Sequence, residues 1–166
     1  MPTDDELLEL AERVGSKART AKITIGTAES CTGGLVAHLV TEVPGSSAYF
    51  RGSLVTYADQ VKVDLADVPE ATLAAHGAVS AQVAVAMAEG ARSRLGADVV
   101  VAITGIAGPD GGSDDKPVGL TYIAVADDRG HDVQKHVWDQ DRAGNKRLSA
   151  AAALTLVIDR LASRAP

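Results

Sequence analysis

Val99-Val100-Val101-Ala102-Ile103 is an uninterrupted apolar run flanked by Gly96 and Gly105. A run with no polar side to give to water predicts a central β-strand covered on both faces. The rest of the chain supplies the covering helices, alternating with shorter strands. Thr3 and Glu6 have the spacing of a capping box, and Leu7, Leu10, Ala11 and Val14 follow at helical intervals, so a first helix is predicted to about Thr20. Lys22 to Thr27 reads as a short strand. Leu35, Val36, Leu39, Val40 and Val43 trace the stripe of a second helix that Pro44-Gly45 ends. Ser53 to Tyr57 reads as a strand, Asp59 to Leu65 as a short helix, and Val68-Pro69 as a turn. Ser80 is placed to cap a long helix that runs to Leu95 and stops at Gly96. Leu120–Ala126 and Asp132–Val137 flank the turn-rich Asp127-Asp128-Arg129-Gly130, the pattern of an antiparallel hairpin. Leu148, Ala151, Leu154, Val157 and Leu161 mark a last helix.

Strands separated by helices in one sheet run parallel with right-handed crossovers, so this order predicts an α/β fold. At 166 residues the chain is expected to form a single domain over 1–166. Aromatic residues make up only 3% of it, so Val, Ile, Leu and Ala must build the core. A net charge of −6 argues against a broad nucleic-acid surface but leaves room for a local anion pocket. One cysteine forms no internal disulfide, and no apolar run approaches the roughly 20 residues that span a bilayer. A cytoplasmic protein that engages neither membrane nor nucleic acid is expected.

Thr27-Ala28-Glu29-Ser30-Cys31-Thr32-Gly33-Gly34 places two nucleophiles and two glycines between a predicted strand and a predicted helix. Unpaired N–H groups at a helix start suit an oxyanion or a phosphate. Ligands on parallel sheets bind beyond the carboxyl ends of the strands. There the predicted topology gathers Ser30, Tyr57, Lys62 and the glycine-rich Gly105–Ser113 segment, with Thr104 at the strand end. That segment lacks the Gly-Lys-Ser/Thr ending of a P-loop.

The runs TAESCTGGLVA, PGSSAYFRGSLVTYADQVK, HGAVSAQVAVAMAEGA and ITGIAGPDGGSDDKPVG, in that order, resemble the CinA carboxy-terminal domain, the nicotinamide mononucleotide deamidase family, from about Ile23 to Arg147. The resemblance is to the standalone deamidase form, and the fold it implies is a three-layer α/β/α sandwich with a mixed, mostly parallel sheet. It implies hydrolysis of the carboxamide of nicotinamide mononucleotide to nicotinic acid mononucleotide and ammonia in pyridine nucleotide recycling, by a serine and lysine pair without metal or cofactor. Ser30 matches the nucleophile, Lys62 the general base and Tyr57 a tyrosine that assists them. The substrate side falls to Glu29, Cys31, Thr32, Gly33, Gly34, Thr104, Gly105 and Arg142, with N–H groups around Cys31 to Gly34 expected to hold the oxyanion. Homo-oligomers, a dimer first, are implied. The chain departs from the family's common Gly-Asp-Arg before the last helix, carrying Gln140-Asp141-Arg142 instead.

A serine hydroxyl needs a neighbour to take its proton, and lysine does so only when neutral. At an ordinary pKa of about 10.4, well under one amine in a thousand is neutral at pH 7. The resemblance therefore requires Lys62 to be desolvated or near a cation, with Arg51 and Arg142 as the available guanidiniums. Cys31, at the same helix end, is the competing nucleophile if that position lowers its thiol pKa. His38, two helical turns on, is too far to serve it. Each residue also has a plainer role: Ser30 as a helix cap, Lys62 as a solvated surface side chain, Tyr57 with its hydroxyl in water, Arg142 as the start of the last helix. A binding or regulatory module that keeps the pocket without turnover is the alternative.

Overall fold

The computed structural model describes residues 1–164. Five strands form one sheet in the order β2-β1-β3-β4-β5: β1 (Ile25–Glu29), β2 (Phe50–Val55), β3 (Val99–Gly105), β4 (Leu120–Asp127) and β5 (Gly130–Val137). β1 pairs in parallel with β2 and β3, while β3–β4 and β4–β5 are antiparallel, so only β4 runs against the others. The sheet is mixed and mostly parallel, as the family resemblance implies.

β3 shows why both faces are covered. Val99, Val101 and Ile103 join a core with α1 (Asp4–Ala21), α2 (Leu35–Glu42) and α6 (Arg142–Ala162). Val100 and Ala102 point the other way, toward α5 (Ala81–Leu95) and the end of α3 (Asp59–Ala66). All five residues of the run are at most 1% exposed. The second core is alanine-rich, and small side chains bring its helices unusually near one another. A Cβ added to Gly90 on α5 would lie 1.7 Å from the Ala66 carbonyl oxygen at the end of α3.

Local signals placed several ends correctly. Thr3 and Glu6 form the reciprocal capping box of α1, and the Ser80 hydroxyl accepts from the Val83 N–H at the start of α5. The hairpin turns through Asp128-Arg129, between Asp127 and Gly130. Three details differ from the sequence reading. The first strand begins at Ile25 rather than Lys22, because Lys22 adopts the left-handed conformation that closes α1 (φ 55°). β2 begins at Phe50 rather than Ser53, because parallel pairing with β1 extends it. A short helix, α4 (Glu70–His76), follows Pro69 where only a turn was read.

The Gly90 contact yields a test. Ala forms helices better than Gly by about 1 kcal/mol, yet Gly90→Ala is expected to destabilise the protein by about 1–3 kcal/mol through the backbone clash with α3. The urea unfolding midpoint should fall; a midpoint equal to or above the parent's would contradict this packing.

Candidate active site

Register brings three strand ends together. Glu29 is paired with Val55 on one side and Ile103 on the other. β1 and β2 end at one level and β3 runs two residues further, with the Ser30 N–H donating to the Ile103 carbonyl (2.9 Å) and the Thr56 N–H to the Glu29 carbonyl (2.8 Å). Ser30 therefore sits at the edge of the sheet beside Tyr57, Thr104 and Gly105. All four line a cavity of about 270 Å³ that also receives Cys31 and Lys62.

Lys62 lies on the inner side of α3. Its side chain is 1% exposed, and Nζ stands 3.2 Å from Ser30 Oγ. The carbonyl oxygens of Thr56 (3.0 Å) and Tyr57 (3.2 Å) accept from the same nitrogen. Burial pushes this amine below lysine's ordinary pKa, against the pull of the exposed Asp59 carboxylate 3.6 Å away. The expected cationic neighbour is absent from this balance. Arg51 sits toward Asp98, at the start of β3 and the opposite end of the sheet, and Arg142 acts elsewhere in the cavity. Desolvation lowers the amine's pKa without a cation beside it.

Tyr57 contributes to the lysine through its backbone. Its phenol accepts from Arg142 Nη2 at 2.9 Å and makes no hydrogen bond to Lys62. Arg142 also donates to the Gly108 carbonyl at 2.6 Å, and among the described residues it pairs with no carboxylate. It is the first residue of α6, capped by Asp141, whose side chain accepts from the Gly144 N–H. Gln140 has no left-handed φ, so the departure from the common Gly-Asp-Arg leaves the arginine on the helix start. Beyond Arg142 and Ala107 a second cavity of about 840 Å³ continues along Leu35, Pro109, Val118 and Lys146.

Ser30 is not the cap of α2. Gly34 holds that position with φ 100° and no side-chain cap bond, while the Glu29 carboxylate accepts from three N–H groups of the helix start. Glu29 and Thr32 are 0% and 1% exposed, and the Thr32 hydroxyl donates to Glu29, so both side chains face inward rather than into the cavity. Gly33 and Gly34 carry the left-handed turn between Ser30 and the helix. Thr104, 1% exposed, donates to the Ala78 carbonyl. Burial raises the Cys31 thiol to about 11, the reverse of the drop that a helix end alone predicts, so the thiolate is disfavoured. His38 lies on the exposed side of α2, near Glu42. Among the described residues no cluster of three or more His, Cys, Asp or Glu offers metal ligands, and no helix is long and apolar enough to cross a membrane.

Two contributors escaped the sequence reading. Asp59 stands three residues before Lys62 on the same helix, a spacing at which side chains meet, and that signal was available. Asn145, 2% exposed, donates to the Ala107 carbonyl and accepts from the Gln140 N–H, tying the glycine-rich segment to α6. No local pattern marks it.

Known proteins share this architecture. The chain superposes on a CinA superfamily protein from Klebsiella pneumoniae with a TM-score of 0.91 at 30% identity, covering 95% of this chain and 98% of that one. It matches the competence/damage inducible protein CihA from Agrobacterium tumefaciens with a TM-score of 0.88 at 41% identity, covering 96% of each. In sequence it is 52% identical over 143 residues to a CinA-like protein of Geobacter sulfurreducens, matching 86% of this chain but only 35% of that relative's length. It is 47% identical over 153 residues to the nicotinamide-nucleotide amidohydrolase PncC of Escherichia coli, matching 92% of this chain and 93% of PncC. The CinA C-terminal domain profile matches residues 7–161, and the chain belongs to the CinA C-terminal domain family.

Proposed function

We propose that this protein is an amidohydrolase that converts nicotinamide mononucleotide to nicotinic acid mononucleotide and ammonia, with Ser30 as nucleophile and Lys62 as general base, the whole chain acting as one catalytic domain. The observation that carries the reading is the buried Lys62 Nζ 3.2 Å from Ser30 Oγ. A neutral amine has two N–H groups and one lone pair. The carbonyls of Thr56 and Tyr57 are positioned to take the two hydrogens, which turns the lone pair toward Ser30. The 47% identity to a protein named nicotinamide-nucleotide amidohydrolase supports the choice of substrate.

In this mechanism the Ser30 O–H donates to Lys62 and passes its proton there as Oγ bonds to the carboxamide carbon. The carbonyl π electrons move to oxygen, giving a tetrahedral anion. The Lys62 ammonium then gives a proton to the departing nitrogen, the C–N bond breaks, and ammonia leaves an ester on Ser30. Lys62, neutral again, takes a proton from water as the water attacks that ester; the bond from Ser30 Oγ to the acyl carbon then breaks, Lys62 returns the proton to Oγ, and the acid product leaves. Cys31 keeps its proton and lines the wall. Thr104 and Gly105 contribute the facing wall of the same cavity. Arg142, held by Gly108 and Tyr57 without a carboxylate partner, and Lys146 in the adjoining cavity suit the nucleotide's phosphate.

Ser30→Ala and Lys62→Met are each expected to lower ammonia release from nicotinamide mononucleotide by about 10²–10⁴-fold while retaining ligand-induced thermal stabilisation, and Cys31→Ala to stay active. Parent-level turnover in Ser30→Ala would overturn the nucleophile. The pH dependence has a defined sign. The active amine is the neutral one, so kcat/KM rises with pH through the Lys62 pKa, and the Asp59 carboxylate holds that pKa up. Asp59→Asn should therefore move the acid limb to lower pH. A limb that stays in place or moves upward would contradict Lys62 as the titrating base.

A further inference from the structure

The turn that presents Ser30 has more N–H groups than a single tetrahedral oxygen needs, and nearly all of them are spoken for. Ser30 N–H donates to Ile103, Gly33 N–H to the Ser30 carbonyl, Leu35 N–H to the Thr32 carbonyl and His38 N–H to the Gly34 carbonyl. The N–H groups of Gly34 (3.0 Å), Val36 (3.1 Å) and Ala37 (2.8 Å) all donate to the carboxylate of Glu29. Only Cys31 and Thr32 remain: no protein oxygen among the described residues accepts from either N–H, and the Cys31 N–H meets only its own thiol.

Glu29 is itself fully buried, and the Thr32 hydroxyl adds a 2.7 Å hydrogen bond to the same carboxylate. Thr27 stands 3.3 Å from its other oxygen, although the Thr27 hydroxyl also reaches Ser53 at 2.7 Å. Burying an acid at the centre of a protein costs free energy unless donors surround it, and here they do. The arrangement does what a Ser or Thr cap would do for α2, but from the residue before the nucleophile. Ser30 is thereby left free of capping duty.

We propose that Glu29 is a positioning residue: it locks the Ser30–Gly34 turn, occupies three helix-start donors, and leaves the N–H groups of Cys31 and Thr32 as the pair that receives the oxygen made negative by attack of Ser30. The inference rests on the Ser30 reading above and adds a cause for its geometry. Glu29 touches neither substrate nor Lys62, so its effect is transmitted through the backbone of the turn. Donors fixed in advance stabilise charge in the transition state without a reorganisation cost at the moment of reaction.

The test is steady-state ammonia release from nicotinamide mononucleotide by four proteins. Glu29→Gln puts an amide N–H₂ against N–H donors, so kcat should fall by about 10²-fold with KM changed by no more than about twofold. The pH midpoint of kcat/KM should stay at the parent value. A folded Glu29→Gln enzyme with parent kcat and only a lowered melting temperature overturns the proposal, as does a loss of rate that a shifted pH midpoint accounts for. Should Glu29→Gln fail to fold, Thr32→Val removes a single donor to the carboxylate and must still lower kcat with KM unchanged; parent kcat there overturns it equally. An ester replacing the Ser30–Cys31 amide deletes the Cys31 N–H and should lower kcat by about 10²–10³-fold. Parent kcat in the ester protein also overturns it. Ser30→Ala separates the two levels. Activity that survives in Ser30→Ala defeats the nucleophile itself, whereas activity lost there but intact in the other proteins defeats only the role of Glu29.

Discussion

A lysine side chain removed from water beside a serine hydroxyl is the constraint around which this molecule is arranged. An ammonium in that position would lose its hydration shell and face only two backbone carbonyls, one hydroxyl and a carboxylate at 3.6 Å. Its three hydrogens would still find acceptors, so the lost hydration is what weighs against it; the neutral amine keeps two hydrogens on the carbonyls and turns its lone pair to Ser30. Burial is the dominant influence on its titration, and Asp59 opposes it. Desolvation drives that downward shift with no cation beside the amine.

Keeping Lys62 there depends on the packing of the sheet's second face. α3 is held against α5 where Gly90 lets the backbone at Ala66 approach, and the alanine-rich core around Met87 leaves little slack. On the first face, α2 and α6 position the opposite side of the cavity. α6 brings Arg142 to Tyr57 and Gly108, and Asn145 fastens the Ala107 carbonyl. The two helical layers thus meet at the carboxyl ends of β1, β2 and β3. Proposed base and proposed phosphate ligand come from opposite sides of the sheet.

Much of this was legible in the sequence where the cause is local. The capping box at Thr3 and Glu6, the Ser80 cap, the stop at Gly96 and the hairpin at Asp128-Arg129 all follow from short-range hydrogen bonding and backbone preference. The doubly covered β3 follows from five consecutive apolar residues. Convergence of Ser30, Tyr57, Lys62 and Thr104 followed from strand order, while the pairing of Ser30 with Lys62 in particular came from the family resemblance. What sequence reasoning missed depends on partners far along the chain. The plainer role of Ser30 as a helix cap could not be set aside on local grounds, and only the fold shows the neighbouring Glu29 bending into that task. Cys31 looked activated by a helix end, yet its burial reverses the shift. Tyr57 was read through its phenol, whereas its carbonyl holds the lysine and the phenol meets Arg142.

The most direct measurement is a nuclear magnetic resonance titration of the side-chain Cε and Nζ signals of the chain's six lysines, with Lys62 assigned by its absence in Lys62→Met. The account predicts that Lys62 titrates below the other five. A Lys62 signal that loses its proton together with the exposed lysines, at an ordinary value of about 10.4, would contradict it.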